Sequence, residues 1–162
     1  MKKVVVFLTV FALVLFSCSS DDTTETIVSN DPESGDPVTE VPEDPERVDF
    51  DLISVDNSGI AGTVSFIPRD DGGTTVYIEL TGTDQELHPA SINFGDTESG
   101  GTVAITLESC TCRISTTAVT QFDNGVPVDF VELMGFDGHL NIYRSPSDNS
   151  IVAHANIGSN AF

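Results

Sequence analysis

Between Gly59 and Thr81 apolar and polar residues alternate with a period of two, and this alternation constrains the fold more than any other feature of the chain. Successive side chains on a strand point to opposite faces, so a period of two marks strands with one face buried. In Gly59 to Ile67, residues Ile60, Val64 and Phe66 lie on one side, with Thr63 and Ser65 on the other. Pro68 closes this segment, and Arg69-Asp70-Asp71-Gly72-Gly73 supplies turn residues. Thr75 to Thr81 alternates again, placing Val76, Ile78 and Leu80 inward and Tyr77 and Glu79 outward, so the two segments predict a hairpin. Further strands are expected at Phe50–Val55, Ser91–Phe94, Thr102–Glu108, Ile114–Val119, His139–Tyr143 and Ile151–Ile157. Only Phe130–Met134 carries a helical hint, since Phe130, Leu133 and Met134 can share a face. Short strands at close spacing, punctuated by Gly, Asp and Asn, predict an all-β antiparallel Greek-key sandwich or barrel over residues 49–162.

The first part of the chain has a different texture. Met1-Lys2-Lys3 precedes an apolar run from Val4 to Phe16, broken only by Thr9. That run has the length of a signal-peptide core and falls short of the ~20 apolar residues a spanning helix needs. It ends in Leu15-Phe16-Ser17-Cys18, which resembles the lipobox of bacterial lipoproteins, so residues 1–17 are expected to be removed and Cys18 to be lipidated. Ser19-Ser20-Asp21-Asp22 follows at once. It resembles the export signal with which one group of Gram-negative bacteria sends lipoproteins to the outer face of the outer membrane. Residues 18–48 are strongly acidic and rich in proline, with Arg47 their single basic residue. Such a segment buries too little apolar surface to offset the entropy of ordering, which predicts a disordered tether.

Loss of residues 1–17 removes both lysines and leaves four arginines against 26 acidic residues, a net charge of −22. This excludes nucleic acid as a partner, because phosphate binding needs a Lys/Arg surface. It also favours a soluble monomer. The expected partners are the membrane, through the lipid on Cys18, and an envelope protein or extracellular ligand.

Five stretches carry a resemblance to a known family: Gly62 to Phe66 (Gly-Thr-Val-Ser-Phe), Thr75 to Gly82 (Thr-Val-Tyr-Ile-Glu-Leu-Thr-Gly), His88 to Asn93 (His-Pro-Ala-Ser-Ile-Asn), Gly138 to Tyr143 (Gly-His-Leu-Asn-Ile-Tyr) and Ile151 to Gly158 (Ile-Val-Ala-His-Ala-Asn-Ile-Gly). In order and character they resemble the CHRD (chordin-type) domain, whose bacterial members are related in fold to the barrel of copper/zinc superoxide dismutase. The resemblance implies a dismutase-like barrel. It also implies histidines at three positions that read Ser91, Asn93 and Tyr143 here. Neither Ser nor Asn is a useful copper or zinc ligand, so a dismutase-like redox site is not expected.

The remaining histidines are His88, His139 and His154, each on a different expected strand. They are weak candidates for a displaced metal site, since no His-x-His spacing supports them. His139 is expected to point the same way as Asn141 and Tyr143, and His154 the same way as Val152 and Asn156. Cys110-Thr111-Cys112 is the sharpest local oddity. On an extended strand both thiols face one side with Cβ atoms too far apart to bridge, so a disulfide between Cys110 and Cys112 requires a turn. In an exported protein such a strained bridge is the leading expectation, with soft-metal binding the alternative. The carboxylates show no diagnostic pairing, Asp70-Asp71-Gly72 and Asp56-Asn57-Ser58-Gly59 read first as turns, and no nucleophile elbow or phosphate loop is present. The expectation is a non-catalytic binding or structural domain without a cofactor, and the alternative is a metal-binding or metal-linked redox module.

Overall fold

The computed structural model of the protein describes residues 47–83 and 87–162. The expectations for residues 1–46, which include the signal peptide, Cys18, Ser19, Ser20, Asp21, Asp22 and the tether up to Arg47, lie outside the described residues. Among the described residues eight strands follow one another: β1 (Val48–Ser54), β2 (Ala61–Pro68), β3 (Thr74–Thr81), β4 (His88–Phe94), β5 (Val103–Cys110), β6 (Ile114–Val119), β7 (Asp137–Ser145) and β8 (Asp148–Gly158). Among the described residues one short helix, α1 (Phe130–Met134), precedes β7. Every strand pairing is antiparallel, and the spatial order is β5-β4-β7-β8-β1-β2-β3-β6. The protein is therefore an all-β, antiparallel, nearly closed barrel, as the alternation predicts.

The β2–β3 hairpin has the expected register, with Val64 opposite Ile78 and Phe66 opposite Val76. Its inward residues Val64, Phe66, Val76, Ile78 and Leu80 are fully buried. They meet Ile92 from β4, Leu140 and Ile142 from β7, and Ala153, Ala155 and Ile157 from β8 in one core. Alternation along each strand supplies these residues, and each fully buried aliphatic side chain stabilises the fold by about 1.5–3 kcal/mol of transfer free energy.

Helix α1 falls at Phe130–Met134, where the sequence suggests a helix. Asp129 caps it: its Oδ1 accepts from Glu132 N at 2.7 Å, while Glu132 Oε2 accepts from Asp129 N at 3.1 Å. This reciprocal box satisfies two backbone donors that a helix start otherwise leaves free. The helix drives Leu133, fully buried, into the core.

Two joints interrupt the ladder. Strands β1 and β8 pair only at Ile53–His154 and Ser54–Ala153. On the other side, β5 and β6 meet at the Thr111–Ile114 bridge beside their connecting turn, and among the described residues no ladder continues from it. Strands β4, β7 and β8 lie side by side between these joints and present the residues that the sequence singles out.

Candidate functional site

Because β4, β7 and β8 are in antiparallel register, their outward residues form rows. Ser91 lies opposite Asn141, which lies opposite His154; Asn93 lies opposite His139, which lies opposite Asn156. Tyr143 continues the outward set on β7, so His139, Asn141 and Tyr143 share a face as expected. Outward residues of a barrel are ordinarily wet, yet Ser91, Asn93, His139 and Asn141 are all buried. The Gly95–Gly101 loop is fastened to this face at three points. His139 Nδ1 donates to Gly95 O at 2.7 Å, Asn93 Nδ2 donates to Gly101 O at 3.1 Å, and Thr97 N donates to Asn156 Oδ1 at 2.9 Å. Asp96 shapes the loop by accepting from Glu98 N, Ser99 N and Ser99 Oγ. The bonds from Ser99 hold the Asp96 carboxyl below the usual carboxylate range.

The three positions that the resemblance reserves for imidazoles are bonded to one another. Ser91 Oγ donates to Asn93 Oδ1 at 2.6 Å and lies 3.0 Å from Tyr143 Oη. His139 is similarly occupied. A carbonyl oxygen only accepts, so the contact with Gly95 O places a proton on Nδ1, and Nε2 faces the amide Nδ2 of Asn141 at 3.2 Å. The lone pair a metal would need is therefore directed at an amide donor. Asn141 Oδ1 is buried with no hydrogen-bond partner among the described residues.

The other two histidines stand apart from this network. His88 is buried, its Nδ1 donates to Tyr143 O at 3.1 Å, and its Nε2 has no partner among the described residues. His154 is half-buried, and burial, followed by the neighbouring His139, holds its imidazole below the usual value, so it is neutral at pH 7. It does not point with Val152, contrary to the sequence expectation. The pairing of β7 with β8 slips between Ile142 and Tyr143, which face Ala153 and Ile151, so Val152 is the extra residue of a bulge and is buried in the core. Among the described residues no three or more His, Cys, Asp or Glu side chains come together in a way that could hold a metal ion.

The disulfide expected between Cys110 and Cys112 is not formed, because Cys110 carries a free thiol. The turn that such a bridge requires does exist, with Cys112 at φ 63 in the left-handed region. It follows a fully buried Cys110 at the end of β5, whereas Cys112 is only half-buried. Burial pushes the Cys110 thiol up to about 11. Such a thiol is a small core side chain and a poor nucleophile.

The acidic clusters are turns. Asp71 accepts from Gly73 N and from the Arg69 guanidinium, which together hold its carboxyl below the usual range, the arginine contributing most. Asp56 and Asn57 adopt left-handed backbone conformations, and Ser58 Oγ donates to Val152 O at 2.6 Å. Sequence reasoning finds the shared direction of His139, Asn141 and Tyr143 on β7 but misses the burial of this face, because the Gly95–Gly101 segment, which lacks the residues of a phosphate loop, is bonded to it by His139, Asn93 and Asn156. Compared with known proteins, the chain matches no family model and no curated sequence.

Proposed function

We propose that the protein is a lipoprotein of the cell outer membrane, anchored through acylated Cys18 and facing the exterior, that carries a non-catalytic CHRD-like barrel as a binding or structural module of the envelope. The observation that carries this reading is Leu15-Phe16-Ser17-Cys18 behind a basic start and a 13-residue apolar run, followed by an acidic tether. The outward face of β4 and β7 supports its non-catalytic part. Where the resemblance implies metal-binding imidazoles, Ser91, Asn93 and Tyr143 bond to each other, and both ring nitrogens of His139 face partners. A buried network of this kind orders a loop and fixes a surface.

Fractionation of cells expressing Cys18→Ser tests the anchor: the variant should move from the membrane to the soluble fraction. If it stays membrane-bound, Cys18 is not the attachment point. Replacing Asp21 and Asp22 with Ala should reduce protease accessibility on intact cells, and unchanged accessibility removes these residues as an export signal.

A metal-binding module is the second reading, favoured by the buried Nε2 of His88, which has no hydrogen-bond partner among the described residues and lies on the residue opposite Cys110 in the β4–β5 register. Copper and zinc content of the purified full chain after dialysis separates the two. Stoichiometric retained metal overturns the non-metal reading.

A further inference from the structure

Strands β1 and β8 part soon after they meet. Val55 N donates to Val152 O at 2.9 Å, and Ile53 pairs with His154. Alternate residues of a strand turn their backbone groups to the same edge, so Asp51 and Asn156 come next in this register. They are not paired, and the C=O and N–H groups of both face an opening instead of a ladder partner. A cleft of about 360 Å³ lies in this wedge, at the lower end of the ~300–1,000 Å³ that small-molecule sites span. Asp49 and Asp51 line one wall, and His154 and Asn156 the other. Phe50, which is buried, lies at its base, and the exposed ring of Phe162 stands 6.1 Å from that of Phe50. The polar groups are unequally engaged. Arg47 neutralises Asp49 at 2.6 Å, and Asn156 Oδ1 accepts from Thr97 N. The Asp51 side chain is exposed and makes no hydrogen bond or ion pair among the described residues. Neutral His154 adds no opposing charge.

We propose that this cleft binds a primary alkylammonium group, with Asp51 as its counter-ion, the carbonyl groups of Asp51 and Asn156 as further acceptors, and Phe50 and Phe162 against its alkyl stem. An ammonium carries three N–H donors and no acceptor, which matches one free carboxylate beside two carbonyl groups outside the ladder. Charge sets the sign of the ligand. The lining contains no Lys or Arg, and the chain has a net charge of −20, so an anion is repelled and a cation drawn in. Shape and chemistry select among cations. Calcium takes about six to eight oxygen ligands, more than Asp51 and two carbonyl groups supply. The two rings offer a calcium ion no ligand, whereas an alkyl stem buries apolar surface against them. A quaternary ammonium has the charge but no N–H group for the carbonyls.

This inference rests on the reading of the domain as a non-catalytic binding module and names the ligand class that the module takes. The probes are n-butylammonium, n-butyltrimethylammonium, calcium chloride and acetyl-lysine-amide, each added at constant ionic strength to the ¹⁵N-labelled full chain in its Cys18→Ser form. Butylammonium should shift the amides of Asp51, His154 and Asn156 with a dissociation constant of about 1–10 mM, the range for one charged group on a short stem. The trimethyl analogue should bind about ten-fold more weakly or worse, having lost the charge-assisted hydrogen bonds. Asp51→Asn should weaken butylammonium by a similar factor while amide shifts outside the cleft stay in place. Asp70→Asn, the same change of charge on the β2–β3 turn, should leave binding unchanged. If acetyl-lysine-amide shifts the same amides, the ligand is a lysine side chain of a partner protein. If it does not while butylammonium does, the ligand is a free amine, and either result upholds the ammonium site. Equal binding of the trimethyl analogue or of calcium, equal losses in Asp51→Asn and Asp70→Asn, or no response at about 50 mM butylammonium overturns it. Membrane release of Cys18→Ser and the metal content after dialysis are unaffected by any of these outcomes, so failure here is distinct from failure of the anchor or of the non-metal reading.

Discussion

Replacing Cys110 with Ala should make the stability of the protein less sensitive to alkaline pH. The Cys110 side chain is fully buried, and burial raises its thiol from 9.0 to about 11. Below pH 9 the thiol is protonated in both folded and unfolded chains, and its contribution to stability is fully present. Between pH 9 and 11 the unfolded chain releases the proton while the folded chain retains it, so rising pH favours unfolding. A shift of this size is equivalent to about 2–3 kcal/mol, fully lost near pH 11 and level beyond it. Urea denaturation of the wild type and Cys110→Ala at pH 8, 9.5 and 11 isolates the effect, because every other titrating group is common to both. The variant should be less stable at pH 8, having lost a buried atom, and the difference should shrink by about 2–3 kcal/mol at pH 11. Iodoacetamide should label Cys110 of the native protein at pH 8 at least about a hundredfold more slowly than Cys110 of the urea-unfolded chain, from thiolate population alone. A stability difference that stays constant from pH 8 to 11, or equal labelling rates, would refute the reasoning.

Two further predictions concern the frame that holds the outward face. Gly62→Ala places a Cβ 2.0 Å from Glu79 O on the paired strand β3, a contact that only a backbone shift relieves, so a loss of at least about 3 kcal/mol is expected in thermal or urea unfolding. Asp129→Ala removes the acceptor for Glu132 N and breaks the cap of α1, which should cost about 1 kcal/mol in urea unfolding and speed amide exchange in Val131 to Leu133 while leaving β2 and β3 unchanged.

Much of the barrel is legible one strand at a time. Val76, Ile78 and Leu80 are buried because each strand residue faces the side opposite its neighbours, and this holds whichever strand lies alongside. The helix at Phe130–Met134 is legible for a similar reason, since the short apolar stripe of Phe130, Leu133 and Met134 is local, whereas the Asp129 cap was seen only in the structure. Local reasoning fails where partners distant in the chain decide the outcome. Val152 shares a side with His154 and Asn156 by alternation, yet the slip against Ile142 and Tyr143 turns it into the core. Cys110 and Cys112 are close enough in sequence to suggest a bridge, but the core claims Cys110 before the turn begins. The sequence places His139 on one face with Asn141 and Tyr143 but does not show that the Gly95–Gly101 loop buries it. In the β5–β6 gap, Asp123 is one acid among many until the fold places it 2.9 Å from Thr106 N.

The sequence by itself determined a period-two chain of short antiparallel strands and a strongly acidic surface, because alternation and net charge are properties of neighbouring residues and of composition. It also contained the lipobox-like Leu15-Phe16-Ser17-Cys18, on which the proposed anchor rests. Only the tertiary structure decided which polar residues are buried, which thiol lies in the core, and where the barrel stays open. Those outcomes depend on register and on closure of loops between residues far apart in the chain, and no local pattern encodes the partner that each group will meet.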